Sequence, residues 1–148
     1  MSPAPRERLR TLLSDAPRAG VYRANDEAAH EAFATAASLH YVVQRIDLVH
    51  ATDAASTQTL LGRALQFPDW YGHNWDALAD CLGDMSWNEA DGYVLILTQL
   101  GPLRTQDREA YDTLVDVLRD ASEAWREGGT PFWVLLPDAE ELPALPTT

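Results

Sequence analysis

The sequence predicts a single α/β domain whose small parallel sheet has three strands and a fourth candidate, packed with helices. Three observations carry that prediction. Strand-like apolar runs alternate with helical stripes along the chain. The run Tyr93-Val94-Leu95-Ile96-Leu97 is almost continuously apolar, as in strands buried on both faces of a parallel sheet. At 148 residues, 46% hydrophobic and 23% charged, the chain is long and apolar enough for one core without a disulfide or a metal.

Each element has a local reason. Pro3 and Pro5 open a short amphipathic stretch with Leu9, Leu12 and Leu13, which ends near Pro17 and Gly20. Val21 and Tyr22 are the fourth candidate strand, near 21–24. Asn25 is a good helix cap for an Ala-rich segment that runs to Ser38 with Phe33 on its apolar side. The first core strand lies near 41–46, on Tyr41, Val42, Val43 and Ile46. Asp53 caps a helix bearing Leu60, Leu61, Ala64 and Leu65, which Pro68 stops. A shorter helix runs from Asn74 to Leu82 with Trp75, Leu78 and Leu82 on one face. After the strand at 93–97, one long helix is expected from Gln106 to Glu127, on the stripe Tyr111, Leu114, Val115, Leu118, Ala121 and Trp125, ended by Gly128-Gly129. The last strand is near 132–136, and the proline-rich tail after Pro137 is expected to be loose.

Composition excludes several function classes. Eleven basic residues stand against 23 acidic ones, a formal charge of −12, so a nucleic-acid partner is not expected, because phosphates are bound by Lys and Arg. The field of such a chain attracts basic partners. Cys81 is the single cysteine, which fits a reducing interior. The N-terminus has no apolar signal core and no run approaches a membrane span, so a cytoplasmic protein without a membrane partner is expected. No phosphate-binding loop, GxSxG or HExxH occurs. His30, His40, His50 and His73 are scattered, so no metal or cofactor is expected.

The informative stretch is Phe67-Pro68-Asp69-Trp70-Tyr71-Gly72-His73-Asn74-Trp75-Asp76-Ala77-Leu78-Ala79-Asp80-Cys81-Leu82. A proline-led loop delivers two aromatics, turns at a glycine and starts a helix. Asn74 reads as its N-cap, and Asp76 is favoured in the first turn by the helix dipole. Asp80 has no such excuse. It sits in the C-terminal half, where the dipole disfavours an anion, and it repels Asp76 at i, i+4. A local cost without local gain points to a cationic partner. The long helix carries Asp112, Asp116, Asp120, Glu123 and Glu127, which by themselves read as a solvated face. Trp70, Tyr71, Trp75 and Trp87 crowd around the two aspartates, and such aromatics dominate binding hot spots. Cys81 with His73 and Asp80 invites a thiol-nucleophile reading, yet Cys81 lies beside the apolar stripe, where a core cysteine is the plainer account.

This stretch resembles the barstar family of intracellular inhibitors of secreted guanyl-preferring ribonucleases. The pattern Pro-acidic-aromatic-Tyr-Gly-x-Asn-x-Asp-Ala-Leu-x-Asp-Cys-Leu is matched from Pro68 to Leu82, and the later order of strand, long helix, Glu-Gly turn and strand is similar too. The resemblance implies a barstar-like domain over 41–137, an N-terminal extension over 1–40 that packs on or precedes it, and a tail over 138–148. It implies that Asp80 is the main acidic plug of a ribonuclease active site, with Asp76 and Asn74 beside it. Trp70 stands where the family has an interface tyrosine, Trp75 at an interface leucine, Glu123 at a further acidic contact and Trp87 at an interface tryptophan. Ala79 replaces an interface tryptophan and His73 an acidic residue, which bears on which ribonuclease is recognised. The mechanism implied is occlusion: Asp76, Asp80 and Glu123 stand in for RNA phosphates among the enzyme's cations. Two other readings are an immunity protein or interaction module of the same fold for another toxin nuclease or basic partner, and a small hydrolase using Cys81 and His73.

Overall fold

The computed structural model describes residues 5–68, 72 and 74–146. Among these residues four strands, β1 (Val21–Tyr22), β2 (Val42–Asp47), β3 (Tyr93–Thr98) and β4 (Phe132–Leu135), form one sheet in the order β1-β4-β3-β2. Every pairing is parallel, with Val42 opposite Tyr93, Tyr93 opposite Phe132 and Val21 opposite Val134. Among the described residues six α-helices surround it: α1 (Pro5–Leu13), α2 (Asp26–Ser38), α3 (Ala54–Ala64), α4 (Trp75–Asp84), α5 (Gly101–Gln106) and α6 (Arg108–Glu127).

Side chains alternate across a strand, so each central strand feeds two cores. Tyr93, Leu95 and Leu97 of β3 join Phe132 and Val134 of β4 in the larger core, under α3 to α6. Val94 and Ile96 join Trp133 and Leu135 on the opposite face, under α1 and α2. The continuous apolar runs of β3 and β4 are therefore explained by two covered faces. Ala29, Ala32 and Ala36 of α2 let that helix approach the sheet closely, and Asn25 caps it by accepting from the Ala28 N–H at 2.8 Å. The Leu13 carbonyl at the end of α1 accepts from both the Trp133 indole (3.1 Å) and the Tyr41 hydroxyl (3.0 Å). Two orphan-carbonyl bonds thus tie α1 to the sheet. A Cβ on Gly92 would lie 2.5 Å from the Tyr41 ring, so the start of β3 needs glycine there.

One expectation is corrected, and one helix is added. The long helix runs close to its expected bounds as α6, started by the Asp107 side chain, which accepts from the Ala110 N–H at 3.1 Å; the short α5 before it, opened by Gly101-Pro102, was not expected. The tail is not loose. Ala139 and Leu142 are buried, and 143–145 runs along the outer edge of β1, where the Arg23 N–H donates to the Pro143 carbonyl (2.7 Å) and its carbonyl accepts from the Leu145 N–H (2.8 Å). The Tyr111 hydroxyl donates to Glu141, and Arg104 donates to Tyr111 and to the Asp138 carbonyl. The tail thus covers a sheet edge that would otherwise be open.

Candidate functional site

Helix α4 is built from a sharp division between two faces. Leu78, Cys81 and Leu82 are buried, and Met85, which caps the C-terminus, is buried too. Asp76, Ala79, Asp80, Gly83 and Asp84 are exposed. Asn74 starts the helix as expected, accepting from the Ala77 N–H at 2.7 Å. Trp75 is half-buried against the larger core. Gln66 and Met85, neither of them glycine, take the left-handed backbone at φ 56° and φ 48°. Such residues carry strain of order 1–2 kcal/mol, and here they bracket the segment that bears the candidate site.

The electrostatics of that face are one-sided. Between Arg63 and Arg104 the chain holds no cation, while Asp69, Asp76, Asp80, Asp84, Glu89 and Asp91 supply six carboxylates. Asp84 was not singled out from the sequence, although it continues the i, i+4 spacing of Asp76 and Asp80. Its carboxylate accepts from the Ser86 hydroxyl at 3.2 Å. Asp80 and Asp84 both lie at the anionic end of the helix dipole, so the arrangement opposes helix stability.

Helix α6 holds α4 in place. The Trp125 indole donates to the Leu82 carbonyl at 2.7 Å, and its ring stacks on Phe132 and leans on Tyr93. Glu123, two residues earlier, is turned about 200° round the helix from Trp125. It rims a groove of about 310 Å³ over β1 with Tyr22, Arg119 and Arg126. Asp76, Ala79 and Asp80 share one surface, whereas Glu123 lies away from the flank of α6 that reaches α4.

Trp87 has partners within the chain. Its ring is half-buried and meets Phe67 edge-on at 5.6 Å, and its indole donates to the Leu65 carbonyl at 3.3 Å. It braces the chain that leads into the site, and no local sequence pattern encodes partners some twenty residues away. Trp70, together with Asp69, Tyr71 and His73, lies outside the described residues.

The thiol chemistry does not survive. Cys81 is fully buried, and burial, with the charges of Asp80 and Asp84, pushes its thiol up to about 11. It is protonated at neutral pH and out of reach of a substrate. Among the described residues, no group of three His, Cys, Asp or Glu could hold a metal ion.

A larger pattern decides the family. Residues 41–137 match the family model described as Barstar (barnase inhibitor). The chain belongs to that family. The matched region covers β2 to β4 and α3 to α6, so in this Barstar-family chain β1, α1 and α2 come from residues before the match. No curated protein matches the chain by sequence. Among solved structures it is similar to the Aeropyrum pernix ORC2 protein, described in ADPNP-ADP complexes, with 20% identity and a TM-score of 0.59 over 89% of this chain. The match spans only 38% of that protein and shows a shared fold alone. No helix among the described residues is long and apolar enough to cross a membrane.

Proposed function

We propose that the chain is an inhibitor that binds a basic, guanyl-preferring ribonuclease and occludes its active site with α4 and the loop before it. Membership of the Barstar family supports an inhibitor of this kind. The observation that carries the reading is the exposed carboxylate face of α4 in a stretch of chain without a cation. A ribonuclease site is lined with cations that hold RNA phosphates, and Asp76 and Asp80 present oxygens to them in a geometry suited to charge-assisted hydrogen bonds. Asn74, Trp75 and Ala79 border that face and contribute contact, and Trp70 is the further contact that the family resemblance implies. Glu123 makes an outlying contact from α6, and Trp87 acts by bracing the loop. The charge of −12 steers the encounter and raises the on-rate. Inhibition of this kind requires no bond-making step, no metal and no cofactor, and the buried single cysteine suits a reducing cytoplasm.

Ala79 favours a second partner within the same mode of binding. A methyl group at the middle of the exposed face leaves it flat between the two aspartates, so an immunity role against a different toxin nuclease fits as well. The test is RNA cleavage by a panel of secreted guanyl-preferring ribonucleases and toxin nucleases, with and without the chain. Stoichiometric loss of cleavage for one enzyme supports the reading and names the partner. Full activity across the panel, with no complex on gel filtration, removes it.

A further inference from the structure

In an open parallel sheet, ligands bind in the crevice outside the carboxyl ends of the strands, where neighbouring strands send the chain in different directions. β1 and β4 are such neighbours. From β1 the chain crosses through α2 on one face to β2 at the far edge, whereas from β4 it turns the other way, as the tail that pairs with Arg23 at the outer edge of β1. A cavity of about 410 Å³ opens at this point, with Arg23 and Asn25 just after β1 on one side and Pro137 just after β4 on the other. It falls within the size range of small-molecule sites. Most of it is built from residues before the Barstar match.

Its walls are apolar. Leu9 and Leu12 of α1, Ala28 of α2 and Leu145 of the tail line it; Leu12 belongs to the core between the sheet and α1/α2, and the other three are partly buried against that core. Its polar rim is Arg8, Arg23 and Glu31, with Asn25 occupied in capping α2. The backbone of Arg23 is fixed on both sides by the tail. Its Nη1 donates to the Glu140 carbonyl at 3.3 Å, and a guanidinium has five donors in a planar fork suited to a carboxylate. Two arginines against Glu31 leave the lining one positive charge in excess. A nucleotide fits poorly. Arg23-Ala24-Asn25 has no glycine to let a phosphate approach the backbone, and Asp26 and Glu27 crowd the first turn of α2 with negative charge.

We propose that this cavity binds a small amphipathic monocarboxylate, with its apolar chain along Leu9, Leu12, Ala28 and Leu145 and its headgroup on Arg8 and Arg23. The test titrates the full chain with decanoate below its micelle-forming concentration, followed by calorimetry and by amide shifts. Decanol and ATP serve as the uncharged and the polyphosphate probe. Saturable binding of decanoate with shifts at Leu9, Ala28 and Leu145 is expected. Arg23→Gln and Arg8→Gln should each weaken it at least about tenfold, as loss of a charge-assisted bond does, and Ala28→Phe should abolish it by filling the space. Melting curves confirm that each variant is folded, and two independent arginine variants keep the test decisive if one is not. Absence of saturable binding, equal binding of decanol, ATP binding in place of decanoate, or unchanged affinity in the folded arginine variants overturns the proposal.

Discussion

Helices α4 and α6 are both acidic, but only one of them is compensated. On α6, Arg108 pairs with Asp112 at 3.1 Å, Arg119 lies one turn from Asp116 and Glu123, and Arg126 lies one turn beyond Glu123. Every acid on that helix but Asp120 has a cation three or four residues away or stands near an end of the helix. On α4, Asp76, Asp80 and Asp84 follow one another at i, i+4 with no cation anywhere from residue 64 to residue 103. The same residue types thus do different things. Interleaved with arginine, they make a solvated face, and left alone on one side of a short helix, they make a surface poised for a partner that supplies the missing charge.

The largest expected effect breaks this contrast at its centre. Asp80→Ala should weaken inhibition of the cognate ribonuclease by about 2–5 kcal/mol or more, the general cost of truncating one partner of a buried charge pair, for which a complex of this family is itself the worked example. The loss should show mainly in the off-rate. The melting temperature should hold or rise slightly, because alanine is the better helix former and repulsion with Asp76 disappears. Glu140→Ala removes an equal charge from an exposed position in the tail, so its effect should be small and erased by high salt. Equal small effects from the two variants would show that the acidic charge acts only in bulk.

The next effect tests what holds the two helices together. Trp125→Phe leaves the Leu82 carbonyl without its indole donor and should destabilise the fold by about 1–3 kcal/mol. Denaturant unfolding should show a lower midpoint with an unchanged slope. Inhibition should fall by less than with Asp80→Ala, since every carboxylate of α4 remains.

The parallel sheet was legible because a strand covered on both faces has to be apolar almost throughout, and residues 93–97 and 132–136 are. Asp76 and Asp80 were legible because helical spacing alone puts them side by side against the dipole. The long helix was legible from its apolar stripe, whereas the short α5 before it, at six residues, is too brief to show one. The tail was misjudged because prolines suggest looseness, whereas its order comes from bonds to Arg23, Arg104 and Tyr111, more than thirty residues away along the chain for most of them. The placement of Glu123 over β1 likewise depended on knowing which flank of α6 reaches α4.

A smaller effect concerns pH. Burial alone would raise the Glu141 carboxyl, but the Tyr111 hydroxyl, its own backbone and the charges of Arg104 and Arg108 outweigh it and hold the group below its ordinary value. The carboxylate form is therefore favoured by folding. Its contribution is full above the ordinary glutamate range and is lost as pH falls through the lower folded value. The group is largely exposed, so screening keeps the contribution to at most about 1 kcal/mol. Glu141→Gln should lower stability at neutral pH and flatten the acid limb of a plot of melting temperature against pH, while an unchanged limb would show that the tail is held by packing alone.

The smallest expected change in stability sharpens the comparison most. Asp84→Arg gives α4 the kind of cation that α6 already has, in its last turn and four residues after Asp80. The dipole then favours the end residue instead of opposing it, and repulsion with Asp80 becomes attraction. The bond from the Ser86 hydroxyl is lost, but it is exposed and weak. A net gain of a few tenths of a kcal/mol is expected, read as a small rise in melting temperature. Inhibition should move the other way. A guanidinium beside Asp80 competes for its oxygens and repels the cations of a ribonuclease, so binding should weaken, and more strongly at low salt, where the repulsion is less screened. If α4 were an ordinary solvated helix, the substitution would stabilise the chain and leave inhibition untouched. Opposite signs in the two measurements are what a face kept uncompensated for a partner requires.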